Sequence, residues 1–314
     1  MAFLIDFHTH FFSRTFFQAL AKASPFSDDP ESAMGRVANS ADIEIPSAND
    51  DEHLQLWLRE ADRHGVSHFV SFASVQEEIP VLSKVVEPSQ GRLVPFAVID
   101  PKAPDCSEQL DDLLESKRFR GAVLFPAMHD YSIDGPEAAR IFRTLDKHRA
   151  VAVVHCGMLN VPLRDRFGLP RNYNLTFANP LQLISVADRY PDARFVIPHF
   201  GAGFFRETLI AGSQCENVYV DTSSSNTWRV TQATPLELAD VFDRVLGVFG
   251  TDRILFGTDS CVFPRGWRHD IFLAQREALG ACGLATAEKA KILGENAAHL
   301  LQIRSHSEAV QSPI

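Results

Sequence analysis

Two histidines spaced i and i+2, His8 and His10, close the run Leu4-Ile5-Asp6-Phe7-His8-Thr9-His10. In an extended strand, side chains at that spacing point to one side, so the two imidazoles converge. Three later apolar runs also end on metal-ligand types: Val151 to His155, Phe195 to His199, and Ile254 to Asp259. Imidazole nitrogen and carboxylate oxygen suit Zn²⁺ or a similar first-row ion, and a catalytic site keeps a position open beside its protein ligands. The set His8, His10, His155 and Asp259 meets that need, with His199 beside it. Taken singly, His155 and His199 also fit hydrogen-bonded core histidines, and Asp259 a helix cap after Thr258.

Such a cluster needs strands whose carboxyl ends share one face. After Phe11-Phe12-Ser13, a segment from about 24 to 51, rich in Ser, Asp, Pro and Asn, reads as an inserted loop or lid. Leu54, Trp57, Leu58, Ala61 and His64 then mark an amphipathic helix closed by Gly65. From 68 onward short apolar runs alternate with helical patterns, and with the opening run they give about eight strand–helix units, as strands buried on both faces should. The pattern predicts a TIM-like (β/α)8 barrel. A doubly wound sheet is the rival, but the chain has no Gly-x-Gly-x-x-Gly turn, and the candidate ligands fall at strand ends, where barrel sites lie. We expect one domain over 1–303, its last helix spanning 286–301, with 304–314 as a polar tail.

At 314 residues and 45% hydrophobic, the chain can bury a large core. A formal charge of −10 without a Lys/Arg run argues against nucleic acid or an anionic membrane as partner. The start has no basic region or long apolar run, so neither a signal peptide nor a membrane span is expected. Five scattered cysteines without a Cys-x-x-Cys pair point to reduced thiols in a cytoplasmic enzyme acting on a small molecule.

Several stretches resemble the amidohydrolase superfamily, in particular the amidohydrolase-related family 2 branch that includes aminocarboxymuconate semialdehyde decarboxylase. They are Asp6-Phe7-His8-Thr9-His10, Val154-His155-Cys156-Gly157, Ile197-Pro198-His199-Phe200-Gly201-Ala202-Gly203, Asp221, Leu255-Phe256-Gly257-Thr258-Asp259 and Gly294-Glu295-Asn296-Ala297. The resemblance implies a barrel with a divalent metal, most often zinc with manganese as the alternative, held by His8, His10, His155 and Asp259. It further implies that His199 lies beside the metal and handles protons or polarises substrate, and that a homodimer is an assembly to consider. Two-metal members place a carboxylated Lys or a Glu at the end of strand four. Here that strand ends Val123-Leu124-Phe125-Pro126, so one metal is expected, with His129 and Asp130 only a looser source of a second ligand.

Two reactions suit that ligand set. The first is hydrolysis of an ester, lactone or amide by a metal-activated water, with Asp259 taking the proton. The alternative is non-oxidative decarboxylation, with His199 helping to protonate the carbon that loses CO₂. Arg164, Arg166 and Arg171 follow the fifth strand, and Arg265, Trp267 and Arg268 the eighth. Arg suits bidentate capture of carboxylate, so a carboxylate-bearing substrate held by Arg171, Arg265 and Trp267 is the expectation. Ser223, Ser224, Ser225, Asn226 and Trp228 fall on the substrate face after strand seven. No Gly-x-Ser-x-Gly elbow surrounds those serines, which argues against a serine nucleophile.

Overall fold

Eight of the apolar runs become strands: β1 (Ile5–His10), β2 (His68–Phe72), β3 (Leu93–Val98), β4 (Gly121–Leu124), β5 (Val151–Val154), β6 (Arg194–Ile197), β7 (Val218–Asp221) and β8 (Ile254–Leu255). The structure is a computed structural model describing residues 3–26, 29–223 and 228–303. The strands form one parallel sheet in the order β1 to β8. Most of their residues are buried, as in a sheet covered on both faces.

The two ends of the sheet meet through backbone hydrogen bonds. Phe7 N donates to Phe256 O, Asp259 N to His8 O, and His10 N to Ser260 O, each at 2.8 Å. The result is a (β/α)8 barrel, as the pattern predicted. β8 is shorter than its apolar run, and the next N–H, of Phe256, donates to Ile292 O at 3.1 Å.

The helix at Asp50–His64 follows its sequence signals. Asn49 caps it, His53, Leu54, Trp57 and Ala61 are buried, and Gly65 closes it at φ 70°.

Segment 24–51 departs from expectation. It contains a helix, Pro30–Ala41, whose N-cap Asp29 accepts from the backbone N–H groups of Glu31 and Ser32. Asp29-Pro30 is a helix-start signal, a capping side chain followed by proline at the first helical position. This helix and Arg14–Ala23 pack through Phe12, Phe16, Phe17, Leu20, Met34 and Val37 in a second small core, joined by Phe167 and Leu169. The segment is thus a packed cap rather than an irregular loop.

The last helix also differs. Thr286–Ala290 and Asn296–Leu301 are separated by a π-helical turn, Lys291–Glu295. A Cβ on Gly294 within that turn would lie 2.0 Å from Phe3 O, so only glycine lets it pack on the start of β1. All five cysteines are free, and among the described residues no helix is long and apolar enough to cross a membrane. The expected tail at 304–314 lies outside the described residues.

Candidate active site

β1 delivers His8 and His10 to the mouth of the barrel, and each ring is held at Nδ1. His8 Nδ1 donates to Asp221 Oδ2 at 2.8 Å, with Ser223 Oγ at 3.0 Å. A carboxylate only accepts, so Nδ1 carries a proton, and Nε2 lies 3.6 Å from Asp259 Oδ1. His10 Nδ1 lies 2.8 Å from Ser74 Oγ, and its Nε2 lies 3.2 Å from the same Asp259 oxygen. His8, His10 and Asp259 therefore bring ligand atoms within 4.8 Å of one another, and a second such group is His8, His199 and Asp221.

Electrostatics follow from this packing. Burial is the largest single influence and would depress His8, but the charge and hydrogen bond of Asp221 together with the charges of Asp259 and Asp6 outweigh it, so its pKa is raised. Burial would raise Asp259, yet the His10 hydrogen bond and the nearby His8 and His199 hold it well below the carboxylate range.

His155 leaves the end of β5 with its ring centroid 5.3 Å from that of His199. It falls in neither compact group. Burial, then His199, lowers its pKa to about 3, so it is a neutral imidazole. Its Nδ1 is buried without a hydrogen-bond partner among the described residues. Buried polar atoms are normally satisfied, so an orphan beside a nitrogen-and-oxygen donor cluster fits a site built for a ligated ion. His129 and Asp130 join neither group.

His199 follows β6 in a turn where His199, Phe200 and Ala202 have φ of 56°, 54° and 42°. Asp259 itself has φ 61° and Phe12, two residues past His10, 39°. Non-glycine residues rarely adopt such backbone, and it persists where surrounding structure enforces it, often at functional sites. His199 N–H donates to Asp221 Oδ1 at 3.2 Å, and Nδ1 lies 2.9 Å from both Ser223 O and Ser223 Oγ. Because a carbonyl only accepts, Nδ1 carries the proton and Nε2 keeps a lone pair. Burial lowers the His199 pKa, with the His8 charge adding to it.

Three buried acids that sequence reasoning did not assign brace these side chains. Asp221 is the first. Asp6 accepts from His8 N–H, Thr258 N–H, Thr258 Oγ1 and Trp267 Nε1, and burial raises it to about 6. Glu78 accepts from Ser13 N–H and Oγ at 2.7 and 2.9 Å and from Ser74 N–H at 2.9 Å, tying the segments after β1 and β2 around His10. The acid two residues before His8 was visible as part of the Asp-x-His-x-His motif. Glu78 carried no sequence signal.

The cluster opens into a cavity of about 320 Å³, large enough for a small molecule. Each β1 or β5 histidine has a phenylalanine beside it: Phe72 at 4.6 Å from His8, Phe12 at 5.0 Å from His10 and Phe125 at 5.6 Å from His155, between ring centroids. Phe12 stacks in turn on Phe16 at 4.0 Å.

Of the expected substrate contacts, Arg265 lines this cavity, and its Nη2 lies 3.2 Å from Cys261 Sγ. Arg171 does not line it, because Asp165 six residues earlier takes its guanidinium on the surface. Trp267 is buried, with its N–H committed to Asp6 at 2.7 Å, so it supports the strand end instead of meeting substrate. Trp228 is likewise buried, against Phe200 and Phe205. Ser224, Ser225 and Asn226 lie outside the described residues.

Fold and site together define a (β/α)8-barrel protein with a histidine–aspartate cluster at the carboxyl ends of its strands. A family model for amidohydrolases, family 2 of that name, matches residues 5–303, and the chain belongs to that family.

Solved structures share the architecture. A 2,6-dihydroxybenzoate decarboxylase from Rhizobium is 17% identical with a TM-score of 0.64, covering 96% of this chain and 99% of its own. A dihydroxybenzoic acid decarboxylase from Polaromonas sp. JS666, with bound manganese and the inhibitor 2-nitroresorcinol, is 16% identical with a TM-score of 0.62, covering 99% and 100%. A probable 2-pyrone-4,6-dicarboxylic acid hydrolase from Acinetobacter baumannii, with citric acid bound, is 14% identical with a TM-score of 0.61, covering 96% and 100%. Likeness at these identities establishes the fold.

Proposed function

We propose that this protein is a metal-dependent enzyme that removes CO₂ from a small aromatic or unsaturated carboxylic acid, with His8, His10, His155 and Asp259 holding one divalent ion. The observation that carries this reading is the cavity wall. Phe12, Phe16, Phe72 and Phe125 enclose the space beside the histidine cluster, a surface suited to a flat apolar ring. Zinc or manganese fits the donor set, and the manganese-bound neighbour favours trying both. When bound, the ion supplies Lewis-acid anchoring of substrate oxygen atoms.

The protein's own groups supply positioning and a proton path. The phenylalanine rings fix the substrate plane and exclude water. His199 Nε2, with its lone pair free, accepts a proton from substrate or solvent. As the bond to the carboxylate breaks, the carbon keeps the bonding pair, CO₂ leaves, and that carbon takes the proton from His199 Nε2. Burial keeps His199 neutral at rest, so the proton is picked up and passed on within the cycle.

Hydrolysis is the second reading, supported by the pyrone hydrolase among the neighbours and by the same ligand set. The reactions separate in one assay. The Zn²⁺- or Mn²⁺-loaded protein is screened with hydroxybenzoic and unsaturated acids for CO₂ release, and with lactones and amides for ring opening or amine release. CO₂ release is the expected result. Turnover of lactones or amides without CO₂ would replace decarboxylation by hydrolysis.

A further inference from the structure

Three arginines line the cavity: Arg164, Arg265 and Arg268. They are not equally free. Arg268 is held by Asp270, with Nε and Nη2 donating to its two carboxylate oxygens at 2.8 and 2.7 Å. Arg265 reaches back to Cys261 and is an exposed residue. Arg164 sits on the short helix Pro162–Arg166 beside the cluster mouth. Its Nε is buried without a hydrogen-bond partner among the described residues, and no carboxylate there forms an ion pair with it. The next residue, Asp165, is the acid that Arg171 occupies.

A buried guanidinium N–H left unpaired is costly, and a cation on a cavity wall without a partner is a place for an anion. We infer that Arg164 is the specificity-determining residue of this cavity, donating through its free guanidinium edge to a carboxylate of the bound ligand. The assignment moves this role from Arg171, which the surface ion pair removes, to a residue seven positions earlier in the chain. It rests on the carboxylate-substrate reading above. Arg164 handles no proton, so its contribution is to binding and discrimination.

The test compares acids with their uncharged amides. Benzoate, salicylate and isophthalate, each beside the matching amide, are titrated calorimetrically into metal-loaded wild type, R164Q, R164K, R171Q and R265Q. Charge-assisted hydrogen bonds differ from neutral ones by enough to predict a loss of about tenfold to hundredfold in acid affinity for R164Q, with amide affinity unchanged. R164K keeps the charge but lacks the planar donor edge, and recovers part of the loss. R171Q stays within about twofold of wild type in this scheme.

R164K also guards against a folding artefact, since a folded lysine variant with restored acid preference requires a charge effect. If R164Q binds the acids as wild type does, the inference fails while the carboxylate reading stands. If wild type prefers none of the acids over its amide, the carboxylate reading falls and this assignment falls with it.

Discussion

One carboxylate joins β1 to β6: Asp221 Oδ2 accepts from His8 Nδ1 at 2.8 Å, while Oδ1 accepts the His199 backbone N–H at 3.2 Å. Ser223 N–H and Oγ complete the set on Oδ1. Asp221 therefore fixes the tautomer of His8 and the left-handed turn that carries His199. Outer groups of this kind tune ligand affinity by roughly tenfold to hundredfold. D221N keeps the shape but removes the charge, and we expect it to weaken zinc or manganese binding by about that factor. Competition with a chromophoric chelator measures it, and unchanged affinity would show that Asp221 acts only in the fold.

His8 and His199 separate in their predicted dependence on metal. H8A removes a proposed ligand, so the purified variant should contain well under one equivalent of metal and be inactive. H199N leaves the proposed ligands in place. It should hold metal like wild type and lose about 10²- to 10⁴-fold in turnover, the usual range for a general acid–base group. Elemental analysis beside the CO₂ assay decides the matter. Metal loss in H199N would place His199 among the ligands, as its position with His8 and Asp221 allows.

The strands that carry the candidate ligands were legible because burial on both faces leaves unbroken apolar runs, and because i, i+2 spacing aims His8 and His10 together. Those features need only local sequence. The helix at Pro30–Ala41 was not legible because its short apolar face, Ala33, Met34 and Val37, lies within a stretch of Ser, Asp and Asn and its partners Phe12, Phe16 and Phe167 come from outside that stretch. Arg171 and Trp267 were misassigned for a related reason. Sequence order placed them near strand ends, but Asp6 meets Trp267 only through the fold, and Asp165 meets Arg171 only because the chain folds back after the helix Pro162–Arg166. Glu78 was invisible because nothing in its surroundings announces a carboxylate facing Ser13 and Ser74.

Gly257 gives a test of how tightly β8 fits against β1. A Cβ there would stand 2.8 Å from His8 Cβ, closer than such atoms pack, and 3.1 Å from Ser223 Cβ, a tight contact. Neither neighbour can swing away, because both atoms are fixed to the backbone of the ligand-bearing segments. G257A should cost about 1–3 kcal/mol in overpacking and displace His8. Urea unfolding of the metal-free protein reads the first effect, and metal affinity the second. Wild-type values in both would mean that β8 can shift without disturbing the cluster.

Glu78 supplies a pH-dependent prediction with a definite sign. Burial is the largest influence on it, and its hydrogen bonds only partly offset that, so its pKa rises from 4.5 to about 7. Below about pH 4.5 the carboxyl is protonated in both folded and unfolded chains. Between about 4.5 and 7 the folded protein keeps a proton that the unfolded chain has released. The stability Glu78 contributes therefore falls as pH rises through that window, and above it the whole cost of a buried charge remains. The difference of 7 − 4.5 = 2.5 units corresponds to roughly 3 kcal/mol. E78Q removes the titration, and its amide oxygen can still accept from Ser13. Other buried acids titrate nearby, so the informative quantity is wild-type stability minus E78Q stability, from urea unfolding of the metal-free proteins at pH 5, 6, 7 and 8. That difference should decline by about 2–3 kcal/mol between pH 5 and 8. A flat difference would mean that Glu78 ionises in the folded state as readily as in the unfolded chain. Since Ser74, which Glu78 anchors through its N–H, holds His10, E78Q should also bind metal several-fold more weakly at pH 8, where the wild-type carboxylate is charged.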